Sequence, residues 1–596
     1  MQLRTIPLIA MAVTFALACG SAPDRESGTP GPGGPGGPGI PVTQDEIDDA
    51  AEEFDLIRTG FLEWYFEAHP VRATELGVHD YDHRLPALDR VGIQRRIDDL
   101  LRWLSDLEEV RFVLMAGDDR YDYAVLEYGI RSELLELEES RDWANDPGLY
   151  TGLIARGLAA VAEREYAPFA TRTGALTARM TAAPALLEAV RSNVRQPPRV
   201  WTELAVGEAR GLLEYLEEDL PTLLRAQRGA IPGELEEARS ALAGALQSHI
   251  DWLTEDLLAR STGTFRLGRY LLERRLLYDE HIFLGLSELE RLNVNAINEY
   301  RQQVAEVAET IDPDRSPKEI IDSITRVGPE PEELLPRARA ALTTARDWST
   351  ESGVVPVPRD ALPTVRESPP YARALFASLD APGPFAPDSL EVFYNLTNVR
   401  PGWDEAVRRG HMSYFNDAGL VITTLHTTFP GRYVQQQYAR DLVPLRRVLA
   451  TKTFTAGWAH YATGMALDEG FSDDPAVRLE QLRRALQRHA RWFAVVRLHA
   501  MDEPLDQVVT GFMEIAYFDE VPARREVLQA TRDPGLMADA LGRMQILQLR
   551  DDYRQHREED DEPFSLVGFH TELLRLGLPF PLAREVMIPS DPDQGR

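Results

Sequence analysis

A helical repeat of apolar residues dominates the chain from Gln44 onward and constrains its fold more than any other feature. In the segment "RLEQLRRALQRHARWFAVVRLHAM" the apolar side chains recur mostly at steps of three and four: Leu479, Leu482, Leu486, Phe493, Val496 and Ala500. This spacing places them on one face of a helix. The arginines between them are expected mostly to face solvent.

The same pattern predicts further helices over Asp45–Glu67, Gly92–Leu107, Tyr121–Glu138, Glu203–Leu220, Glu234–Ile250 and Leu286–Thr310. Strand patterns are few. The best is "SLEVFYNLTN" after the turn-rich "DAPGPFAPD", and "GVVPVP" at Gly353–Pro358 is a weaker one. The sequence therefore predicts a mainly α protein: one large multi-helix body, residues 44–596, with a small inserted β-sheet. A subdivision of this body would fall in the Pro-rich region near residues 312–333.

Composition excludes several classes of protein. The 596 residues are 44% hydrophobic and 27% charged, which is ordinary for a globular protein and excludes wholesale disorder and a polytopic membrane protein. The formal net charge is −32. Because such a surface repels phosphate backbones, a nucleic-acid partner is excluded.

The amino terminus has the pattern of an export signal. Arg4 precedes a short apolar run, Ile6–Ala18, that ends in "ALAC" at Cys19, the single cysteine of the chain. This resembles the lipobox of bacterial lipoproteins, in which the cysteine is acylated after export and becomes the new amino terminus. We therefore expect residues 1–18 to be a signal peptide and Cys19 to carry the lipid. The alternative is an ordinary secretory signal.

Residues 19–43 contain the tract "GTPGPGGPGGPGIP", which has neither helical nor strand periodicity. It is predicted to be a tether between the lipid and the folded body. The protein is then exported and anchored at the bacterial envelope. The outer membrane is favoured over the inner one because glycine, not aspartate, follows Cys19.

The stretch "LHTTFPGRYVQ", Leu425–Gln435, combines a histidine with residues that interrupt a helix. A helix with His-Glu-x-x-His holds zinc because residues four apart share a face, while the glutamate polarises the metal-bound water. Here Thr427 follows His426. Pro430 cannot donate a backbone hydrogen bond to His426, and Gly431 permits a bend, so the helix must bulge or break.

The frame of this stretch resembles a known bacterial family. It keeps the histidine, the Pro-Gly pair and "YVQ", and is followed by "AGWAHYATGMALDEGF". The family is domain of unknown function 885, helical relatives of gluzincin zinc metallopeptidases, with a motif near His-Glu-x-x-Pro-Gly-His-Tyr-Val-Gln and a later Glu-Gly-Trp-Ala-His-Tyr. Similarity runs from "HPVRATELGVHDYDHRLP" to "DPGLMADALGRMQILQLRDDY". The resemblance implies a metallopeptidase-like helical body.

Carried over residue by residue, the resemblance implies a degenerate site. Thr427 stands at the catalytic glutamate, Arg432 at the second histidine ligand and Ala456 at the carboxylate ligand. Asp539 stands where the family tends to have a tyrosine, and only His426 of the expected ligands remains. Threonine is no general base at neutral pH, alanine offers no lone pair, and a guanidinium repels a cation. We expect no bound zinc, no other cofactor and no peptide hydrolysis.

Two interpretations of the remaining histidines stay open. His460 shares a helix face with Ala456, and His499 lies at a position that the family keeps near its site, so His426, His460 and His499 could form an altered zinc site. Alternatively they are retained histidines that are each satisfied by a hydrogen bond. In both cases we expect His426, Arg432, Tyr433, His460 and His499 to surround one cleft.

The favoured function is that of a lipid-anchored, non-catalytic protein that binds peptides or acts as a scaffold, with peptides or envelope proteins as partners. Arg432 could receive a peptide carboxylate, or it could form a structural ion pair. The alternatives are an active hydrolase with an altered zinc site and a purely structural envelope protein.

The anchor gives the first testable prediction. The protein with Cys19 is expected in the membrane fraction after export, and Cys19→Ala is expected in the soluble fraction because no thiol remains to be acylated. Fractionation followed by immunoblotting measures this. Soluble wild-type protein after export would contradict the lipoprotein interpretation.

Overall fold

The computed structural model of the protein describes residues 43–228, 230–359, 361–369, 373, 375–400 and 402–589. The predicted signal peptide, Cys19 and all of the tether but its last residue lie outside the described residues. Helices account for most of the described chain, and strands for three short segments. The mainly α prediction with a small sheet is confirmed.

The helices of the first part of the chain are α1 (Gln44–Ala68), α2 (Pro70–Leu76), α3 (Arg90–Glu109), α4 (Gly117–Leu135), α5 (Asp142–Asn145), α6 (Gly148–Ala162), α7 (Phe169–Asn193), α8 (Arg199–Glu214), α9 (Leu220–Arg228), α10 (Gly233–Trp252), α11 (Gly268–Glu280), α12 (Leu286–Ile311), α13 (Pro317–Ile324) and α14 (Leu334–Glu351). The six helices predicted in this part all form, with ends shifted by a few residues. Capping explains one sharp start, since the Thr43 side chain accepts from the Glu46 N–H and the Glu46 side chain accepts from the Thr43 N–H.

The second part of the chain begins with the strands and continues in shorter helices. The strands are β1 (Thr364–Glu367), β2 (Ala377–Asp380) and β3 (Phe393–Leu396), and the helices are α15 (Glu405–Met412), α16 (Asp417–Thr427), α17 (Arg432–Ala439), α18 (Pro444–Val448), α19 (Lys452–Asp468), α20 (Pro475–Ala500), α21 (Leu505–Ala516), α22 (Glu520–Ala530), α23 (Ala538–Glu559), α24 (Leu566–Leu576) and α25 (Phe580–Met587).

The sheet has the order β1-β3-β2, with β3 parallel to β1 and antiparallel to β2. The central strand β3 is the one that "SLEVFYNLTN" predicted. Val365 and Leu379 both pair with Tyr394 in the register. The weaker prediction at Gly353–Pro358 is wrong, because that segment forms no strand; its two prolines lack the N–H groups that a ladder needs.

The buried apolar side chains form three clusters. One lies within α6–α10, a second joins α11–α13 to α20–α23, and the largest joins α1, α3, α4, α14 and the sheet to α16–α19 and the last three helices. Ile320 and Ile321 belong to the second cluster and Leu334 to the largest. A subdivision near residues 312–333 stays a prediction.

Of the helices in the described ranges, none is both long and apolar enough to cross a membrane.

Helices α19 and α23 meet at a pair of glycines. A Cβ added to Gly457 would lie 2.6 Å from the Gly542 Cα, and one added to Gly542 would lie 2.0 Å from the Thr453 carbonyl oxygen. Both distances are far below van der Waals contact, and the opposing atoms are backbone. The backbones can approach this closely only where neither helix carries a side chain.

This crossing gives a stability prediction. Gly457→Ala should lower the free energy of unfolding by about 2 kcal/mol or more, because pushing the helices apart outweighs the gain of about 1 kcal/mol in helix propensity. Urea unfolding measures it. The matched control is Gly244→Ala in α10, where an added Cβ meets nothing within 4 Å, so the propensity gain should remain. Equal effects of the two substitutions would contradict the close-packed crossing.

Candidate functional site

Helix α16 carries His426 into the interior and is fixed at both ends. At its start the Asn416 side chain accepts a hydrogen bond from the Gly419 N–H at 2.9 Å. Near its end the Thr424 hydroxyl lies 3.2 Å from the Tyr394 hydroxyl of strand β3. The small sheet therefore supports the helix that bears the candidate histidine.

The helix that contains His426 is interrupted just before Pro430, as the sequence predicts. Helix α16 ends at Thr427, and α17 begins at Arg432. A Cβ on Gly431 would lie 2.2 Å from the His426 carbonyl oxygen, so only glycine fits this tight turn. The Trp458 indole N–H points at the carbonyl oxygens of Pro430 and Gly431, at 3.1 and 3.2 Å. The turn is thereby held on α19.

The His426 side chain is in contact with an arginine. Arg488 Nη2 lies 3.3 Å from Nδ1 and 3.4 Å from Nε2 of His426. Burial, together with the positive charges of Arg488 and Arg432, holds the pKa of His426 well below its usual value. The imidazole is therefore neutral at neutral pH and accepts a hydrogen bond from the guanidinium. This is the hydrogen-bonded histidine that one interpretation of the sequence expected.

Helix α20 supplies that arginine and corrects a prediction made from the sequence. Its arginines do not mostly face solvent: Arg483 and Arg484 are 7% and 5% exposed, and the Arg488 and Arg491 side chains are 13% and 22% exposed. The reason is that other helices cover both faces of α20, with α12, α16, α21 and α22 packed around it. Periodicity identifies an apolar face but cannot show that a second layer covers the polar one.

Carboxylates compensate part of this buried charge. Glu480 pairs with Arg483 and Arg484 at 2.6 and 2.7 Å, and despite its burial these guanidinium groups lower its pKa to about 2. Glu526 pairs with Arg491 at 2.6 Å. Arg488 has a weaker partner, since its Nε lies 3.6 Å from Asp539 Oδ2. Burial lowers the pKa of Arg488 to about 10, so it remains protonated at neutral pH.

His460 is buried near Arg488. Its side chain is 3% exposed, and its Nε2 has no hydrogen-bond partner among the described residues. Burial and the positive charges of Arg488 and Arg543 hold its pKa well below the usual value. Protonation of His426 would act in the same direction. His426 and His460 thus both lie near the Arg488 guanidinium.

His499 lies elsewhere. Its Nε2 donates to the Ala530 carbonyl oxygen at 2.8 Å, and its ring meets Phe265 edge-on. Within the described ranges, no group of three or more His, Cys, Asp or Glu side chains could hold a metal ion. The three histidines His426, His460 and His499 therefore do not converge on one metal site.

The other predicted positions have different surroundings. Tyr433 is buried against Phe429 and donates to the Ala361 carbonyl oxygen at 3.1 Å. Thr427 is buried and Ala456 is half-buried. Arg432, the first residue of α17, is exposed, and no carboxylate of the described residues lies within 4 Å of it.

The two cavities described for the structure are elsewhere on its surface. One of about 460 Å³ is lined by residues of α24 together with Arg446. The other, of about 330 Å³, lies between α8 and α10. The site around His426 is a packed polar cluster with an exposed edge at Arg432.

Comparison with known proteins now identifies the family. Residues 70–587 match the family described as bacterial protein of unknown function, DUF885. The chain belongs to the DUF885 family. The chain matches no curated protein.

Two solved structures share the fold of this DUF885 protein. One is a candidate lipoprotein of unknown function from Shewanella oneidensis, with a TM-score of 0.75 and 21% sequence identity over 90% of this chain and 99% of that one. The other is a candidate lipoprotein from Colwellia psychrerythraea, with a TM-score of 0.75 and 14% identity over 91% of this chain and 98% of that one.

Sequence reasoning placed Arg432 near His426 but missed Arg488 and Arg491 of α20. One signal could have found them: helix α20 carries six arginines and a single carboxylate, Glu480, in a chain whose net charge is −32. Such a local excess of positive charge is unusual for a solvated face of an acidic protein. The sequence gives no such signal for Arg543 of α23, because its approach to His460 depends on the crossing of α19 and α23 at Gly457 and Gly542.

The buried histidines give a pH prediction. Because the folded-state pKa of His460 lies below the unfolded value near 6.5, only the unfolded state takes up a proton as the pH falls below about 6.5, and stability is lost on acidification. His460→Gln should reduce the loss of unfolding free energy between pH 7.5 and 5.5 by about 1.4 kcal/mol. Urea unfolding at both values measures it, with His83→Gln at an exposed position as the control. An unchanged pH dependence in His460→Gln would contradict a buried neutral imidazole.

Proposed function

We propose that this DUF885 protein is a lipid-anchored protein of the bacterial envelope that binds peptides through the site around His426 and Arg432 and does not hydrolyse them. In this proposal the body derives from a gluzincin-like metallopeptidase, and Thr427, Arg432 and Ala456 stand where its catalytic and ligand residues were. The observation that carries the proposal is the contact between His426 and Arg488.

That contact argues against zinc chemistry. Arg488 Nη2 lies 3.3 Å from His426 Nδ1, so a guanidinium that is charged at neutral pH occupies the space beside the one remaining ligand of the family motif. A catalytic zinc needs about three protein ligands, and a fixed positive charge at this distance opposes the approach of a dication. Neither Thr427 nor Ala456 can replace the missing groups.

Arg432 supports the binding of an anion. Its side chain is at the exposed edge of the site, and no carboxylate of the described residues pairs with it. The structural ion pair considered from the sequence is therefore not formed within the described chain. A guanidinium can make two parallel hydrogen bonds to a carboxylate, which fits the terminal carboxylate of a peptide.

The envelope location is supported by the amino-terminal sequence and by the relatives. The lipobox-like "ALAC" with Cys19 and the Pro/Gly tract would tether the body to a membrane, most simply the outer one. The two structures that share the fold are both described as candidate lipoproteins. A purely structural envelope protein would share the anchor but would give no role to Arg432, which pairs with no carboxylate in the described part of the chain.

The active-hydrolase alternative has less support. It requires zinc at His426, His460 and His499, and His499 is engaged with Ala530 and Phe265 instead. A scaffold function without peptide binding remains compatible with the anchor but does not use the site.

Peptide binding tests the proposal. The probe is a mixed pentapeptide library with free terminal carboxylates, and the same library amidated, measured by fluorescence anisotropy. The wild-type protein should bind the free-carboxylate library, and Arg432→Gln or amidation should weaken binding by about tenfold, the effect of losing a charge-assisted hydrogen bond. Arg199→Gln in α8, another exposed arginine, should have no effect.

Metal analysis of the same samples supplies the contradicting outcome. We expect no stoichiometric zinc in the wild-type protein and no cleavage of the library. One tightly held zinc per chain, lost in His426→Ala or His460→Ala together with measurable hydrolysis, would establish the hydrolase alternative. Equal binding of both libraries by wild type and Arg432→Gln would contradict the role of Arg432.

A further inference from the structure

His460 and three side chains near it have buried polar atoms without a hydrogen-bond partner in the described part of the chain. The atoms are Tyr300 Oη on α12, His460 Nε2 on α19, Arg488 Nε on α20 and Arg543 Nε on α23, and none has a hydrogen-bond partner among the described residues. Tyr300 and His460 are only 7% and 3% exposed. Buried polar atoms are almost always satisfied in folded proteins, so four such atoms close together form a set of groups that one bound acceptor could satisfy.

The four groups lie around one region of the interior. The Arg543 guanidinium lies 5.6 Å from the centre of the Tyr300 ring. Its Nη2 is 3.4 Å from where a Cβ on Gly464 would be, one helical turn after His460. Arg488 and Arg543 are the charged groups that most affect the His460 imidazole.

The charges around this region are unbalanced. Glu480 forms ion pairs with Arg483 and Arg484, and Glu526 forms one with Arg491. Asp539 is 3.6 Å from both Arg488 and Arg491, which is too long for a hydrogen bond. Two further acids act on Tyr300: Asp468 pairs with Arg478 at 2.8 Å, and Glu299 is exposed.

Arg543 has no carboxylate partner among the described residues, and its cation lies over the Tyr300 ring. A half-buried guanidinium whose Nε is out of contact with solvent and which has no counter-ion is costly unless an anion joins it. A bound anion would both balance the positive charge and accept hydrogen bonds from these donors.

We propose that Tyr300, His460, Arg488 and Arg543 form an internal binding site for a carboxylate group. All four can act as donors: the phenol O–H, the guanidinium N–H groups, and Nε2–H in one tautomer of the neutral imidazole. A carboxylate accepts about four hydrogen bonds, which matches this set. The carboxylate belongs either to an acidic side chain of a bound peptide or to a free small carboxylic acid.

This inference rests on the proposed function only in its peptide form. The internal site is the inner end of the site whose exposed edge is Arg432, so a peptide held at Arg432 could direct an acidic side chain inward. Binding of a free carboxylate does not require Arg432. The two proposals can therefore fail separately.

Calorimetric titration with acetate and glutarate, against sodium chloride of equal ionic strength, tests the free-acid form. An amidated pentapeptide containing glutamate, compared with its glutamine counterpart, tests the peptide form without a terminal carboxylate. Saturable binding is expected for at least one carboxylate probe. Arg543→Gln should weaken it by about tenfold, as expected for a lost hydrogen bond between charged groups. Arg199→Gln in α8, an exposed arginine outside both sites, should leave acetate and glutarate binding unchanged.

Tyr300→Phe is the second variant. It is expected to fold normally, so it tests the site even if Arg543→Gln is unstable. It removes a hydroxyl that has no partner in the unliganded protein, so stability without ligand should not fall, whereas affinity for the carboxylate should fall about fivefold to tenfold. If the role of Tyr300 were purely structural, the substitution would not lower the affinity while leaving the stability unchanged. The inference is overturned if no carboxylate probe binds beyond the chloride control, or if Arg543→Gln and Tyr300→Phe bind as tightly as wild type.

Discussion

The close crossing of α19 and α23 at Gly457 and Gly542 is the contact on which the rest of the site depends. Because backbone meets backbone there, the helices approach more closely than side chains would allow. Arg543 directly follows the crossing glycine, and His460 is one turn from Gly457. The crossing therefore sets the distance between a guanidinium and an imidazole that sequence alone places 83 residues apart.

Helix α20 adds the second constraint, which is electrostatic. Its arginines enter an interior where an unpaired charge is costly, and Glu480, Glu526 and Asp539 offset only part of them. Such a cluster favours anions and opposes cations. In the proposed function, the chain combines the break at Pro430 with surroundings that favour a bound carboxylate over a cation.

Much of the fold was predictable from local pattern. The helical periods and the central strand at Tyr394 follow from side-chain spacing, and the break after Thr427 follows from a proline without an N–H. The environment of the site was not predictable in this way. The burial of Arg488 and the separation of His499 from His460 depend on which helices cover α20, which is tertiary information that spacing along one helix does not contain.

A crystal structure of the protein grown with acetate as the sole carboxylate tests the central claim most directly. The account predicts one acetate bound between α12, α19, α20 and α23, with its oxygens about 2.8 Å from Arg543 Nε and the Tyr300 hydroxyl. It would be contradicted by a structure in which these atoms bind only water, or in which Asp539 turns inward and pairs with Arg543.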